Sequence, residues 1–377
     1  MSDTNLYDWI LEILEARESA FVHRFCPPYI CAIGSHVFNL QHKQEAILME
    51  HGLVRDYRLN IMFVSWSGFC KSYFSEQFLE GPNSILGSSA IKTKFVGYTT
   101  GAGFVGTARE GKNGTVNKQE GMAKRYKDYI LGFDEFSAIL GGIGQSWNTE
   151  LDSAVLSALE SGRVYKSLAM DEIDYETFCT VYAATQPTRF NMSSGLPRRF
   201  FYMQFTPTAA DKKIIKDARR AGMNVRDNMD HEAFNKGIDG KIANIRRIKT
   251  VTFDFRLYKL FDSLSIPHMI ELVYEHLALG YNIMRYPVEE RLVVRLDNEL
   301  ERLIRTGHRW RQQLQRGSDI SQVLQILRES SGRMNLLQLK MDLLDFGLGW
   351  QECSAMLDGM QKTRLIKYDG KDVVLII

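Results

Sequence analysis

The chain has 377 residues, 45% of them hydrophobic and 24% charged, with a formal net charge of +2. That is a globular composition with ample core for two or three domains, and so small a positive excess neither demands nor excludes nucleic acid. No apolar run approaches the length of a membrane span, and the N-terminus lacks a signal peptide's apolar segment. The five cysteines are scattered, with Cys26 and Cys31 the nearest pair, so neither a zinc site nor a disulfide framework is indicated and a reducing cytoplasm is the simplest setting.

Leu6, Trp9, Ile10, Ile13 and Leu14 recur at helical spacing, so a helix is expected from Asn5 to about His23, ended by Pro27-Pro28. A second helical stretch is expected from about His42 to His51. The stretch that organises the chain is Asn60 to Tyr73, NIMFVSWSGFCKSY. Its apolar run, Ile61 to Val64, is short enough for a buried strand, and it ends in small residues before Lys71-Ser72. A glycine-rich phosphate loop asks for Gly, four residues, Gly, Lys, then Ser or Thr. Here Ser65 and Cys70 stand at the two glycine positions and Gly68 lies between them. A turn opening a helix offers free backbone N–H groups to an anion. In that reading the backbone from Gly68 to Cys70 and the Lys71 amine meet phosphates, and Ser72 meets Mg²⁺. The alternative is an ordinary strand-to-helix cap with Lys71 solvated.

A strand at Lys94 to Tyr98 is expected next, then the polar, glycine-bearing segment Arg109 to Glu120, which reads as a surface hairpin. Tyr129 to Phe136 is a buried strand ending in Asp134-Glu135. Adjacent carboxylates there suit a nucleotide hydrolase, the first holding Mg²⁺ through water and the second polarising the attacking water. A helix around Leu151 to Glu160 leads to a hairpin between Arg163 and Cys179, turning near Met170-Asp171. The strand Phe178 to Ala184 ends in Thr185-Gln186-Pro187. In a parallel sheet that end would lie beside Asp134 and Glu135, where ligands gather. Arg198 and Arg199 follow, between Pro197 and Phe200. A planar, always-charged arginine suits transition-state phosphate charge, and a surface salt bridge is the alternative.

Pro207 to about Gln313 reads as mostly helical, with basic clusters at Lys212, Lys213, Lys216, Arg219 and Arg220 and at Arg246, Arg247 and Lys249. Gln315 to Asp319 reads as a linker. Beyond it, helices are expected near 320–329, 335–345 and 350–361, then two short strands around Asp369-Gly370, a hairpin-turn signal. Three helices and a hairpin make a winged helix-turn-helix, which docks on DNA or serves as a regulatory wing; both remain open.

The ordered set resembles the AAA+ motor of minichromosome maintenance (MCM) replicative helicases. That family's phosphate loop, Gly-Asp-Pro-Gly-Thr-Ala-Lys-Ser, is matched by Ser65 to Ser72 at Gly68, Lys71 and Ser72. Phe133-Asp134-Glu135-Phe136 resembles its Ile-Asp-Glu-Phe, and Ala183-Ala184-Thr185-Gln186-Pro187 its Ala-Ala-Asn-Pro. Leu196-Pro197-Arg198-Arg199-Phe200 resembles its Leu-Leu-Ser-Arg-Phe, and Leu300 to Arg305 its lid helix. The likeness spans about residues 30 to 313, with the terminal wing in the family's usual place. It implies an α/β fold: an AAA+ P-loop NTPase core with a parallel sheet at 51–206, a mostly helical lid at 207–314 and a winged helix at 320–377, behind an N-terminal helical segment at 1–50.

The resemblance further implies ATP and Mg²⁺ as cofactors, a homo-oligomeric ring, expected to be a hexamer, and DNA as partner, with no membrane. It implies Glu135, Gln186 and the trans-acting Arg199 as catalytic residues. Gly68, Cys70, Lys71, Ser72, Asp134, Arg295 and Arg302 would hold nucleotide, Ser72 and Asp134 the metal, and Lys112, Lys118 and Lys166 DNA. The chain also departs from the family. There is no room for the N-terminal DNA-binding domain, Gln186 replaces Asn, the hairpin lysine falls on Leu168, and the lid arginine falls on Asn298, with Arg295 and Arg302 one turn to either side. A shortened form would suit a plasmid, virus or integrated element of an archaeon. An initiator or helicase loader, and a DNA-binding or ring-scaffold protein that does not hydrolyse ATP, are the rival readings.

Overall fold

The structure is a computed structural model that describes residues 5–17, 21–43, 47–49, 52–54, 56–65, 71–81, 84–87, 89–110, 116–140, 149–168, 171–187, 198–207, 209–221, 230–345, 350–368 and 371–376. The chain forms two compact units, one ending at His308 and the other running from Arg309.

The first unit is built on a parallel sheet of five strands: β1 (Asn60–Ser65), β2 (Thr93–Tyr98), β3 (Ile130–Glu135), β4 (Thr180–Thr185) and β5 (Phe200–Phe205). Their order across the sheet is β5-β1-β4-β3-β2, and every neighbouring pair is parallel. All residues of β1 and β4 are buried, as expected for central strands covered on both faces. Because the strands run one way, residues at their carboxyl ends share one edge of the sheet, while their amino ends share the other.

The N-terminal region differs from expectation. Pro27 and Pro28 do not end a helix; they lie inside Val22–Gln41, whose residues from Phe25 to Asn39 are buried. Two prolines forfeit two intrahelical donors, and the burial of so long a face offsets that loss. This helix crosses His268–Arg285 at Gly34 and Gly280, where a Cβ on either glycine would run into a backbone carbonyl of the other helix. Only hydrogen fits between the two backbones there.

The expected helix at His42 to His51 is instead partly strand. Ile47–Met49 joins a side sheet with Gly52–Val54, Thr250–Phe253 and Arg291–Val294. Leu48 pairs with Thr250, a partner no local pattern could announce. For the same reason the region after Pro207, read as mostly helical, holds two strands among its helices Ala209–Ala221, His231–Ile245, Phe255–Ser263 and His268–Arg285.

Gln315 to Asp319 is not a linker. It lies within one helix, Asn298–Glu329, despite the cost of about 1 kcal/mol that a glycine such as Gly317 imposes on a helix interior. In the second unit, helices Leu336–Asp345 and Trp350–Lys362 accompany an antiparallel sheet ordered Arg333–Asn335, Asp372–Leu375, Ile366–Tyr368. Val323, Leu327, Leu339, Leu343, Leu357 and Ile366 form its core. The Arg333–Asn335 strand was not foreseen, and the Asp369-Gly370 turn lies outside the described residues.

Candidate functional site at the carboxyl edge of the sheet

At the end of β1, Ser65 is fully buried and its Oγ donates to the Phe205 carbonyl at 3.0 Å, tying the last residue of β1 to the last of β5. That bond gives a reason for serine where a phosphate loop has its first glycine. The helix Lys71–Leu79 opens just beyond, and Lys71 is buried, 8% exposed. Gly68 and Cys70 lie outside the described residues, as does the side chain of Ser72.

At the end of β3, Asp134 and Glu135 are half-buried. Glu135 Oε1 accepts from Thr185 Oγ1 and from the Ser137 backbone N–H, both at 3.2 Å. The Phe136 N–H donates to the Ala184 carbonyl at 2.8 Å. Together these bonds fix the carboxylate against the end of β4, and Gln186 follows one residue later, half-buried. Glu76, on the helix that Lys71 begins, has its pKa raised by burial first and then by the charges of Glu80 and Asp134.

A cavity of about 700 Å³ is lined by Phe21, Arg24 and Pro27 from the N-terminal region and by Glu299, Arg302 and Thr306 from the helix Asn298–Glu329. Arg24 lies over the rings of Phe25 and Phe205, at 5.0 and 5.4 Å. Phe205 ends β5, so Arg24 links the cavity to that strand end, while Lys71, Asp134, Glu135 and Gln186 do not line it. Phe25 also contacts Phe63 of β1 and Phe74 of the Lys71 helix. The helix that carries Arg302 is anchored by Asp297, whose Oδ1 caps the Leu300 N–H at 2.8 Å. Its Oδ2 accepts from the hydroxyls of Tyr281 and Tyr286. Arg302 pairs with Glu299 at 2.7 Å. Arg295, by contrast, is exposed, lies over the Tyr286 ring at 5.7 Å and does not line the cavity.

Sequence reasoning missed Phe21, Arg24 and Glu76. An arginine between aromatics in an N-terminal helix carries no motif, and only tertiary packing brings it to the sheet edge.

Arg199 sits at the opposite edge. It immediately precedes β5, whose Phe200 pairs with Asn60 at the amino end of β1. Its side chain is 6% exposed, with Nη2 on Glu160 Oε2 at 2.5 Å and Nε donating to the Leu156 carbonyl at 2.9 Å. Burial lowers its pKa, and Glu160 opposes that shift. The same edge holds Arg58, which bonds Asp56 and the carbonyls of Ala158 and Cys179. Asn60 bonds the carbonyls of Leu159 and Arg199 and accepts from the Val181 N–H.

Both expected hairpins form. Gly106–Glu110 pairs with Val116–Glu120, and Arg163–Leu168 with Asp171–Glu176. Lys112 lies outside the described residues, as does the side chain of Lys118. Lys166 is half-buried opposite Ile173. Its hairpin is acidic: Arg163 and Lys166 share it with Asp171, Glu172, Asp174 and Glu176, and Arg163 is paired with Asp174 at 3.3 Å.

Comparison of the chain with protein-family models and with curated proteins returns no match. No helix among the described residues is long and apolar enough to cross a membrane.

Proposed function

We propose that this protein is an MCM-like AAA+ ATPase that couples ATP hydrolysis to work on DNA. The observation that carries the reading is the meeting of three strand ends at one edge of a parallel sheet: β1 with Lys71 beyond it, β3 with Asp134 and Glu135, and β4 with Thr185 and Gln186. Ligands of open α/β sheets bind at the carboxyl ends of the strands, where neighbouring connections diverge. Here β1 leads to β2 on one side of the sheet and its neighbour β4 leads to β5 on the other, so the two connections diverge beside the Lys71 loop.

In this reading Lys71 and the backbone from Gly68 to Cys70 hold the phosphates of ATP. Ser72 and Asp134 hold Mg²⁺, which would neutralise phosphate charge. Glu135, fixed by Thr185, polarises the attacking water, and Gln186 orients it. The cavity beside Arg24 and Arg302 receives the rest of the nucleotide. One of the arginines before β5 serves a neighbouring subunit in a ring, and the three-helix, three-strand C-terminal unit acts as a winged helix. A scaffold that binds ATP without turnover is the second reading, favoured by Ser65 and Cys70 at the glycine positions.

The test is calorimetric titration with ATP and Mg²⁺, followed by steady-state turnover with and without single-stranded DNA. The parent is expected to bind and hydrolyse, and Lys71→Ala to lose binding. Equal affinity of Lys71→Ala and parent sinks the phosphate-loop reading, whereas binding without turnover favours the scaffold.

A further inference from the structure

Arg198 and Arg199 are adjacent in sequence and share one acceptor, yet their situations differ. Both reach Glu160 Oε2, Arg198 at 3.2 Å and Arg199 at 2.5 Å. The Arg199 side chain is 6% exposed and is held a second time through Nε by the Leu156 carbonyl. Its own carbonyl accepts from Asn60, which binds the start of β5 to β1. The Arg198 side chain is 38% exposed, and its Nε has no hydrogen-bond partner.

We propose that Arg198, not Arg199, is the arginine that reaches the nucleotide of the neighbouring subunit, and that Arg199 is a strut fixing the turn before β5. The assignment rests on the ATPase-ring reading above. To reach outward, Arg199 would have to break two short bonds in a dry place and leave a carboxylate without its closest cation. Glu160 is only half-buried, so the larger cost falls on Arg199, whose shielded guanidinium would leave two fixed acceptors. Arg198 would give up one longer bond from a position already in contact with water, and Glu160 would keep Arg199 as its partner. Glu160 thereby becomes a parking site: it holds Arg198 when no nucleotide faces it and takes it back after product leaves. A γ-phosphate carries more negative charge than a single carboxylate oxygen and accepts a planar guanidinium through two bonds at once, so it competes for Arg198 without disturbing Arg199.

The experiment compares Arg198→Ala, Arg198→Lys and Arg199→Ala in the full chain, with thermal melting, nucleotide titration and turnover measured on each. Arg198→Ala is expected to keep the parent melting temperature and nucleotide affinity while its turnover falls by about 10³-fold or more. Arg198→Lys, a point charge without the fork, is expected to recover part of that loss. Mixing Arg198→Ala with Lys71→Ala, each silent alone, is expected to restore turnover, because some interfaces then pair an intact site with an intact arginine. A purely structural residue would show no such complementation. Arg199→Ala is expected to lower the melting temperature, and the molecules that remain folded should turn over within a few-fold of the parent. Parent-like turnover by Arg198→Ala, in a parent that does hydrolyse ATP, overturns this assignment alone. Absence of turnover in the parent itself overturns the ATPase reading and the assignment with it.

Discussion

The two edges of the central sheet are built from the same strands and treated in opposite ways. At the amino edge polar groups are closed on one another. Arg58 is saturated by Asp56 and two carbonyls, Asn60 by three backbone groups, and Arg199 by Glu160 and Leu156. At the carboxyl edge, Asp134, Glu135 and Gln186 are half-buried, and burial raises the Glu76 pKa, with the charges of Glu80 and Asp134 adding to the shift. Buried groups that reach fixed acceptors hold the fold together, whereas carboxylates gathered at strand ends suit the proposed chemistry. Substitutions at the carboxyl edge should therefore change what the protein binds and turns over, and substitutions of Arg58, Asn60 or Arg199 at the amino edge whether it stays folded; the half-exposed Arg198 is the exception at that edge.

The largest separation should come from Glu135→Gln. Turnover is expected to fall by roughly two to four decades, while calorimetric nucleotide affinity and the melting curve stay at parent values. A loss of fold instead would erase the distinction between the edges. Arg58→Met should do the reverse, lowering stability by about 3–5 kcal/mol because Asp56 and two carbonyls lose their partner. Urea unfolding measures it, and nucleotide affinity of the folded fraction should be unchanged.

The amino edge should also be acid-labile. His36 Nδ1 lies 2.9 Å from Thr180 Oγ1 at the start of β4, and burial, aided by the Arg58 charge, lowers its pKa from 6.5 to about 3. The folded form therefore refuses a proton that the unfolded chain accepts. His36 costs nothing above pH 6.5, and stability falls as the pH drops from there towards about 3. His36→Gln should flatten that part of a stability-against-pH curve. The smallest effect is expected from Lys166→Ala. If its acidic hairpin avoids DNA, the slope of log affinity against log salt should change by much less than the ~0.9 expected for a lost phosphate contact. A full unit of change in a fluorescence-anisotropy titration would place DNA on that hairpin.

The carboxyl edge was more legible than its surroundings. Apolar runs followed by Lys71, by Asp134-Glu135 and by Thr185-Gln186 announce strands and their ends, because a buried parallel strand is continuously apolar and its exit is polar. The hairpins and the two helices Leu336–Asp345 and Trp350–Lys362 were legible for similar local reasons. What stayed hidden depends on distant partners. Pro27-Pro28 signals a helix end unless deep burial holds the helix together. Ile47–Met49 becomes a strand only because Thr250–Phe253 lies beside it. Gly317 signals a break that the helix Asn298–Glu329 ignores. That Arg302 lines a cavity and Arg295 does not is visible only in the tertiary structure.

The glycine crossing between Val22–Gln41 and His268–Arg285 also sets a timetable for making the protein. Gly34 leaves the ribosome long before Gly280, and at about 5–20 residues per second the wait is on the order of ten to fifty seconds. Through that interval the face of Val22–Gln41 that carries Cys31, Gly34 and Ser35 lacks its later partner. The N-terminal helices therefore cannot complete their packing first and wait for the rest.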